Sequence, residues 1–163
     1  AWSEAEDAIV INEVSMIGAD LATVVLAGSI INATETLFSI DDDEALAAAM
    51  GLALSNLRLD VTDAGLTDII MASVAADQGA DPATLRPVFA GLAEGTVIGL
   101  LAGAAEAQKV GGAISDFVSG SARQLTIEMV AKDAAGLSLA DFVAAEDDPS
   151  LLIGKVNIDA TAK

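Results

Sequence analysis

Apolar and polar positions change period several times along this chain, and each change marks an element. "DAIVINEVSMIGADLATVVLAGSIINA", from Asp7 to Ala33, is rich in Val and Ile and is broken once near Gly18-Ala19-Asp20. That pattern predicts two strands joined by a turn. In the second of them Val24, Val25, Leu26, Ile30 and Ile31 place apolar side chains on both faces, as in an interior strand with both faces covered. "ETLFSI" extends the sheet as a short third strand. "LRLDVTD" and "RQLTIEMVA" alternate cleanly, with Leu57, Leu59, Val61 and then Leu125, Ile127, Met129 on one face. Val156, Ile158 and Ala160 repeat the alternation in a last strand.

Helical segments fall between the strands. Acidic residues open the stretch from Asp42 to Gly51, where they complement the helix dipole. Asp63 is placed to cap a helix whose apolar positions Leu66, Ile69, Ile70 and Val74 follow helical spacing and which Gly79 ends. Asp81-Pro82 is a second start signal, a capping carboxylate followed by proline at the first helical position. The helix it opens is expected to kink at Pro87 and run to about Lys109, with "VGGAISDFVSGS" as its end or a loop. Ser138 and Asp141 have capping-box spacing, and Asp148-Pro149 opens a further short turn. The order β-β-(β)-α-β-α-α-β-α-β predicts an α+β fold: an antiparallel or mixed sheet with helices packed mainly on one face. Residues 1–163 are expected to form a single domain, processed from or part of a longer protein.

"GLAEGTVIGLLAG" places Gly91, Gly95, Gly99 and Gly103 four residues apart in an apolar helix. Each costs about 1 kcal/mol against alanine, so the spacing requires a reason. Glycine at every fourth position is one way transmembrane helices pack. The stretch between Arg86 and Lys109 would span about 33 Å as a helix, enough for a bilayer. Glu94 and Glu106 lie within it, however, and the surrounding strands belong to a sheet. Close packing is the favoured reading: a central glycine-rich helix, with the glycines as a packing or interface strip and Phe89, Val97, Leu100, Leu101 and Ala104 on the opposite side.

Charge narrows the functions open to the chain. It carries 7 basic and 25 acidic residues, a net charge of -18. Such a surface repels phosphate backbones, which argues against nucleic acid as a partner. His, Cys and Tyr are all absent. Ser-His-Asp and Cys-His constellations are therefore excluded, as are the usual zinc ligands. Lys109, Lys132 and Lys155 stand in no recognisable motif with a serine. Asp41, Asp42, Asp43 and Glu44 are oxygen donors of the kind calcium takes, but they lack the alternating spacing of a calcium loop. Helix N-terminal charge is the simpler account of them. No phosphate-binding loop or dinucleotide fingerprint is present, and no cofactor is expected.

Two long stretches, "LRLDVTDAGLTDIIMASVAADQGADPATLRP" and "ISDFVSGSARQLTIEMVAKDAAGLSLADFVAAEDDPSLLI", add one more expectation. An alternating strand ends in Asp-x-Gly-Leu, a helix runs to Ala-x-x-x-Gly, and Leu-x-Asp-Phe precedes an Asp-Pro turn. This patterning resembles the C-terminal part of signal-peptide-bearing envelope proteins of α-proteobacteria, over about half of the chain. The resemblance implies a periplasmic location and no particular activity.

The chain thus reads as a non-catalytic domain acting through a protein partner or self-association, with a membrane span disfavoured. An alternative is a carrier for a lipid or other apolar ligand held between sheet and helices. Phe38, Phe89, Phe117 and Met129 are the candidates to line that pocket.

Overall fold

A computed structural model describes residues 1–101 and 104–163. The strands are β1 (Trp2–Ser3), β2 (Ala8–Gly18), β3 (Ala22–Ile31), β4 (Ala53–Asp63), β5 (Gln124–Ala131), β6 (Leu137–Ser138) and β7 (Val156–Ala162). They form an antiparallel sheet in the order β1-β2-β3-β4-β5-β7, with β6 paired to β4. The helices are α1 (Asp42–Met50), α2 (Leu66–Gln78), α3 (Pro82–Leu100), α4 (Ala107–Ser119), α5 (Leu139–Asp147) and α6 (Ser150–Ile153). The fold is α+β.

Three boundaries differ from the sequence expectation. "ETLFSI" is not a strand: Glu35–Phe38 form a single 3-10 turn, and Ser39 and Asp41 lead directly into α1. The long glycine-bearing helix stops at Leu100 rather than near Lys109. "VGGAISDFVSGS", expected as a helix end or loop, lies instead in α4 and its C-cap. Gly111 explains the last difference. A Cβ built there would come within 2.8 Å of Ile98 Cγ1 on α3, so this glycine lets α4 approach α3 closely and is not a helix breaker.

The chain divides into two compact units. The first comprises Ala1–Val14, Leu26–Arg58 and Glu128–Asn157. Its buried apolar residues include Ala8, Ala33, Ala53, Leu137 and Val156. The Trp2 indole donates to the Ala33 carbonyl at 2.6 Å, and its ring meets Phe38 edge-on with centroids 5.0 Å apart. These two contacts fasten the short β1, which pairs Trp2 with Ile9 and Ser3 with Ala8. Gly28 of β3 faces the β4 backbone so closely that a Cβ would sit 2.7 Å from the Asn56 carbonyl oxygen. β3 is interior in the sheet, as its two-sided apolar pattern predicts, yet only Gly28 in it is buried and the rest is half-buried.

The second unit comprises Ser15–Val25, Leu59–Ile127 and Ile158–Lys163. Here α2 and α4 both pack on α3, around Met71, Ala75, Ala90, Leu101, Val110 and Ala113. Asp63, the buried charged residue at the end of β4, organises the start of α2. Its carboxylate accepts from the Gly65 and Thr67 amides at 3.2 and 3.1 Å, from the Thr67 hydroxyl at 2.6 Å, and from the Arg123 guanidinium at 2.5 Å. Burial alone would push its pKa up. The bonds from Thr67, Arg123 and Gly65 outweigh that effect and bring it down to about 2. Arg123 also holds Asp68 on α2, and Asp68 in turn pairs with Arg86 on α3.

Candidate functional site

The glycine series lies on the outside of α3. Gly91, Gly95 and Gly99 are exposed, and among the described residues a Cβ at any of them would meet nothing within 4 Å. Among the described residues, no backbone comes that close to them, so the close approach of a neighbouring element is found at Gly111 and not at these three. Gly103 lies outside the described residues. Exposed neighbours complete the face. Val88 and Leu92 are more than 60% exposed, and Leu100, expected on the side opposite the glycines, is 58% exposed. Every exposed position of α3, from Ala83 through Thr84, Pro87, Val88, Gly91, Leu92, Gly95, Thr96 and Gly99 to Leu100, is uncharged. In a chain with 25 acidic residues, that face is a long neutral strip. Alanine in place of Gly95 is expected to stabilise the isolated chain by about 0.5–1 kcal/mol, because open space receives the methyl and helix propensity improves; thermal unfolding measures it.

The proposed apolar-ligand residues are divided between the two units. Phe38 stacks on Trp2 and is 57% exposed, and Met129 is half-buried on β5; both belong to the first unit. Phe89 on α3 and Phe117 on α4 are half-buried in the second unit. An apolar groove does exist in the first unit, lined by other residues. Ile30 of β3, Leu54 of β4, Leu137 of β6, Ala49 of α1, and Leu139 and Phe142 of α5 enclose about 300 Å³. That is the lower end of the usual size for ligand pockets. One sequence signal pointed there: Leu139, Phe142 and Val143 follow i, i+3, i+4 spacing and are all exposed on α5.

The acidic run at Asp41–Glu44 serves the helix end. The Asp41 side chain accepts from the Asp43 and Glu44 amides at 3.0 and 3.2 Å, and Ser39 donates its hydroxyl to Glu44 at 2.9 Å. Among the described residues, no group of three or more acidic side chains is placed to hold a metal ion. Two of the lysines named above are also spoken for. Lys155 pairs with Asp141, whose other oxygen accepts from the Ser138 amide and hydroxyl, both at 2.8 Å. Lys155, and then Ser138, hold the Asp141 carboxyl down at about 2. Ser138 is therefore a helix cap whose proton is directed to a weakly basic carboxylate. Lys109 pairs with Asp159 at 2.5 Å and lowers its pKa.

Among the described residues, no helix is long and apolar enough to cross a membrane. The class of protein is thus an α+β fold on an antiparallel sheet, with aliphatic side chains left exposed. A family model described as "Uncharacterized protein" matches residues 15–163, and the chain belongs to that family. No curated protein and no solved structure matches it.

Proposed function

We propose that this chain is a non-catalytic interaction domain and that the outer face of α3 is where it meets a second copy of itself. One observation carries the reading: the exposed positions of α3 form a neutral strip in which Gly91, Gly95 and Gly99 recur at every fourth residue, with open space beside them among the described residues. Two chains of net charge -18 repel one another over most of their surfaces. A strip without charge is where that repulsion is weakest, and bare glycines let two helix backbones come close. Nucleic acid stays disfavoured on charge, and the periplasmic location rests on the envelope-protein resemblance alone.

Sedimentation velocity tests the proposal. The chain is expected to associate, and more tightly as salt rises from about 50 mM to about 0.5 M, because screening relieves the repulsion. Gly95→Glu, which puts a carboxylate in the middle of the strip, should restore the monomer, whereas Gly95→Ala should weaken association far less. A chain that stays monomeric at every salt and protein concentration overturns the proposal.

The apolar groove of the first unit favours a second reading, a carrier for a small apolar ligand. Native mass spectrometry separates the two. An extra mass of lipid size that Phe142→Asp abolishes would favour the carrier.

A further inference from the structure

A second cavity in the first unit, about 500 Å³ in volume, is bounded by the end of β5, the segment leading into α5 and the turn before β7. Two of the four lysines in the chain line it, Lys132 and Lys155, with the carboxylates Asp133 and Asp141. β5 and β7 are bridged here, the Lys132 amide donating to the Lys155 carbonyl at 2.9 Å.

The four charged groups differ in what they have left to give. Lys155 and Asp141 neutralise each other, and Asp141 is further engaged by Ser138. Lys132 spends one ammonium proton on the Gly154 carbonyl at 3.1 Å and, among the described residues, meets no carboxylate. Asp133 uses Oδ1 to hold the Ala135 amide at 2.9 Å and, among the described residues, meets no cation. Although adjacent in sequence and on the same cavity wall, Lys132 and Asp133 do not pair with each other. The cavity thus offers one unpaired positive group and one unpaired negative group.

We propose that this cavity binds a small zwitterion bearing a carboxylate and an ammonium group, such as a free α-amino acid. The ligand carboxylate accepts from Lys132 Nζ and its ammonium donates to the Asp133 carboxylate. Net charge favours this class over a simple anion. A phosphate or dicarboxylate would approach against the field of a chain at -18, while a zwitterion carries no net charge and avoids that penalty. The remaining walls include Ala135, Gly136 and Gly154, which leave room for a compact side chain. Gly136 is fixed by its fold position, with φ +74° and Ala53 Cβ only 3.0 Å from where a Cβ would stand.

The test is an amide NMR titration of the whole chain with glycine, and in parallel with acetate and with methylammonium, the two halves of the zwitterion. Glycine is expected to shift the Lys132, Asp133 and Gly154 amides saturably, with acetate and methylammonium each at least about tenfold weaker. Lys132→Met and Asp133→Asn should each weaken glycine binding by about tenfold or more. Both positions are exposed, and the asparagine keeps the oxygen that caps Ala135, so unchanged shifts elsewhere confirm the fold. Shifts that never saturate overturn the proposal. So does acetate binding as tightly as glycine, which would make this a plain anion site, or binding indifferent to both substitutions.

Discussion

Asp63→Ala should destabilise the protein by about 3 kcal/mol, read as a lower midpoint in urea unfolding. The carboxylate is almost fully buried, with 2% of its side chain exposed, and accepts four hydrogen bonds from two backbone amides, a hydroxyl and a guanidinium. Loss of a helix cap typically costs about 0.5–2 kcal/mol, and hydrogen bonds to charged groups contribute about 1.5–3 kcal/mol each. Relief from burying the carboxylate offsets part of the sum. Arg123 is half-exposed and keeps Asp68, so it is not stranded. Asp63→Asn retains an oxygen for the amides and should cost less.

The same substitution has a pH signature. The folded-state pKa of Asp63 lies at about 2, below its ordinary 3.8. A depressed carboxylate pKa means that the unfolded chain binds the proton more readily. Its contribution, about 2 kcal/mol, is therefore complete above pH 4 and is lost as pH falls towards 2. The stability gap between the parent chain and Asp63→Ala should shrink by about that amount over this window. A gap that does not change with pH would mean that the carboxylate acts there through shape alone. Asp141, held low by Lys155 and Ser138, gives both proteins a further loss in the same range, so the difference between them is the quantity to follow.

Gly28→Val is expected to cost about 3 kcal/mol or to prevent folding, and Gly28→Ala about 2 kcal/mol. The atom in the way is a backbone oxygen, Asn56 O, at 2.7 Å from the new Cβ, with the Leu57 Cα at 3.5 Å. A side chain could rotate aside; a paired strand has to move as a whole. Overpacking costs of about 1–3 kcal/mol are usual and rise where the neighbour cannot yield. Gly95→Ala, with open space around it, is the control of opposite sign. Circular dichroism with thermal unfolding of all three variants decides the matter, and equal effects at positions 28 and 95 would refute the distinction.

These contrasts show what the sequence could and could not convey. Strand alternation at Leu57–Val61 and Leu125–Met129, and the capping pairs Asp81-Pro82 and Ser138/Asp141, are local signals and lie where the structure has them. The glycines were harder. Regular spacing drew attention to Gly91, Gly95 and Gly99, yet close contacts are made at Gly28 and Gly111, which carry no periodic signal. Close approach depends on which element lies opposite, and that is set by residues far along the chain. The apolar groove is similar, since Ile30, Leu54, Leu137 and Phe142 come from four separate segments. The 3-10 turn at Glu35–Phe38 read as a strand because four residues are too few to establish a period.

The way β1 is fastened has a practical consequence for spectroscopy. Trp2 is the only tryptophan, and there is no tyrosine. Intrinsic fluorescence therefore reports from one place: an indole bonded to the Ala33 carbonyl and packed edge-on against Phe38. A change in emission follows release of a two-residue strand, an event that can precede cooperative unfolding. Two different midpoints, one from fluorescence and one from far-ultraviolet circular dichroism, would then measure fraying of the N-terminal strand rather than a folding intermediate.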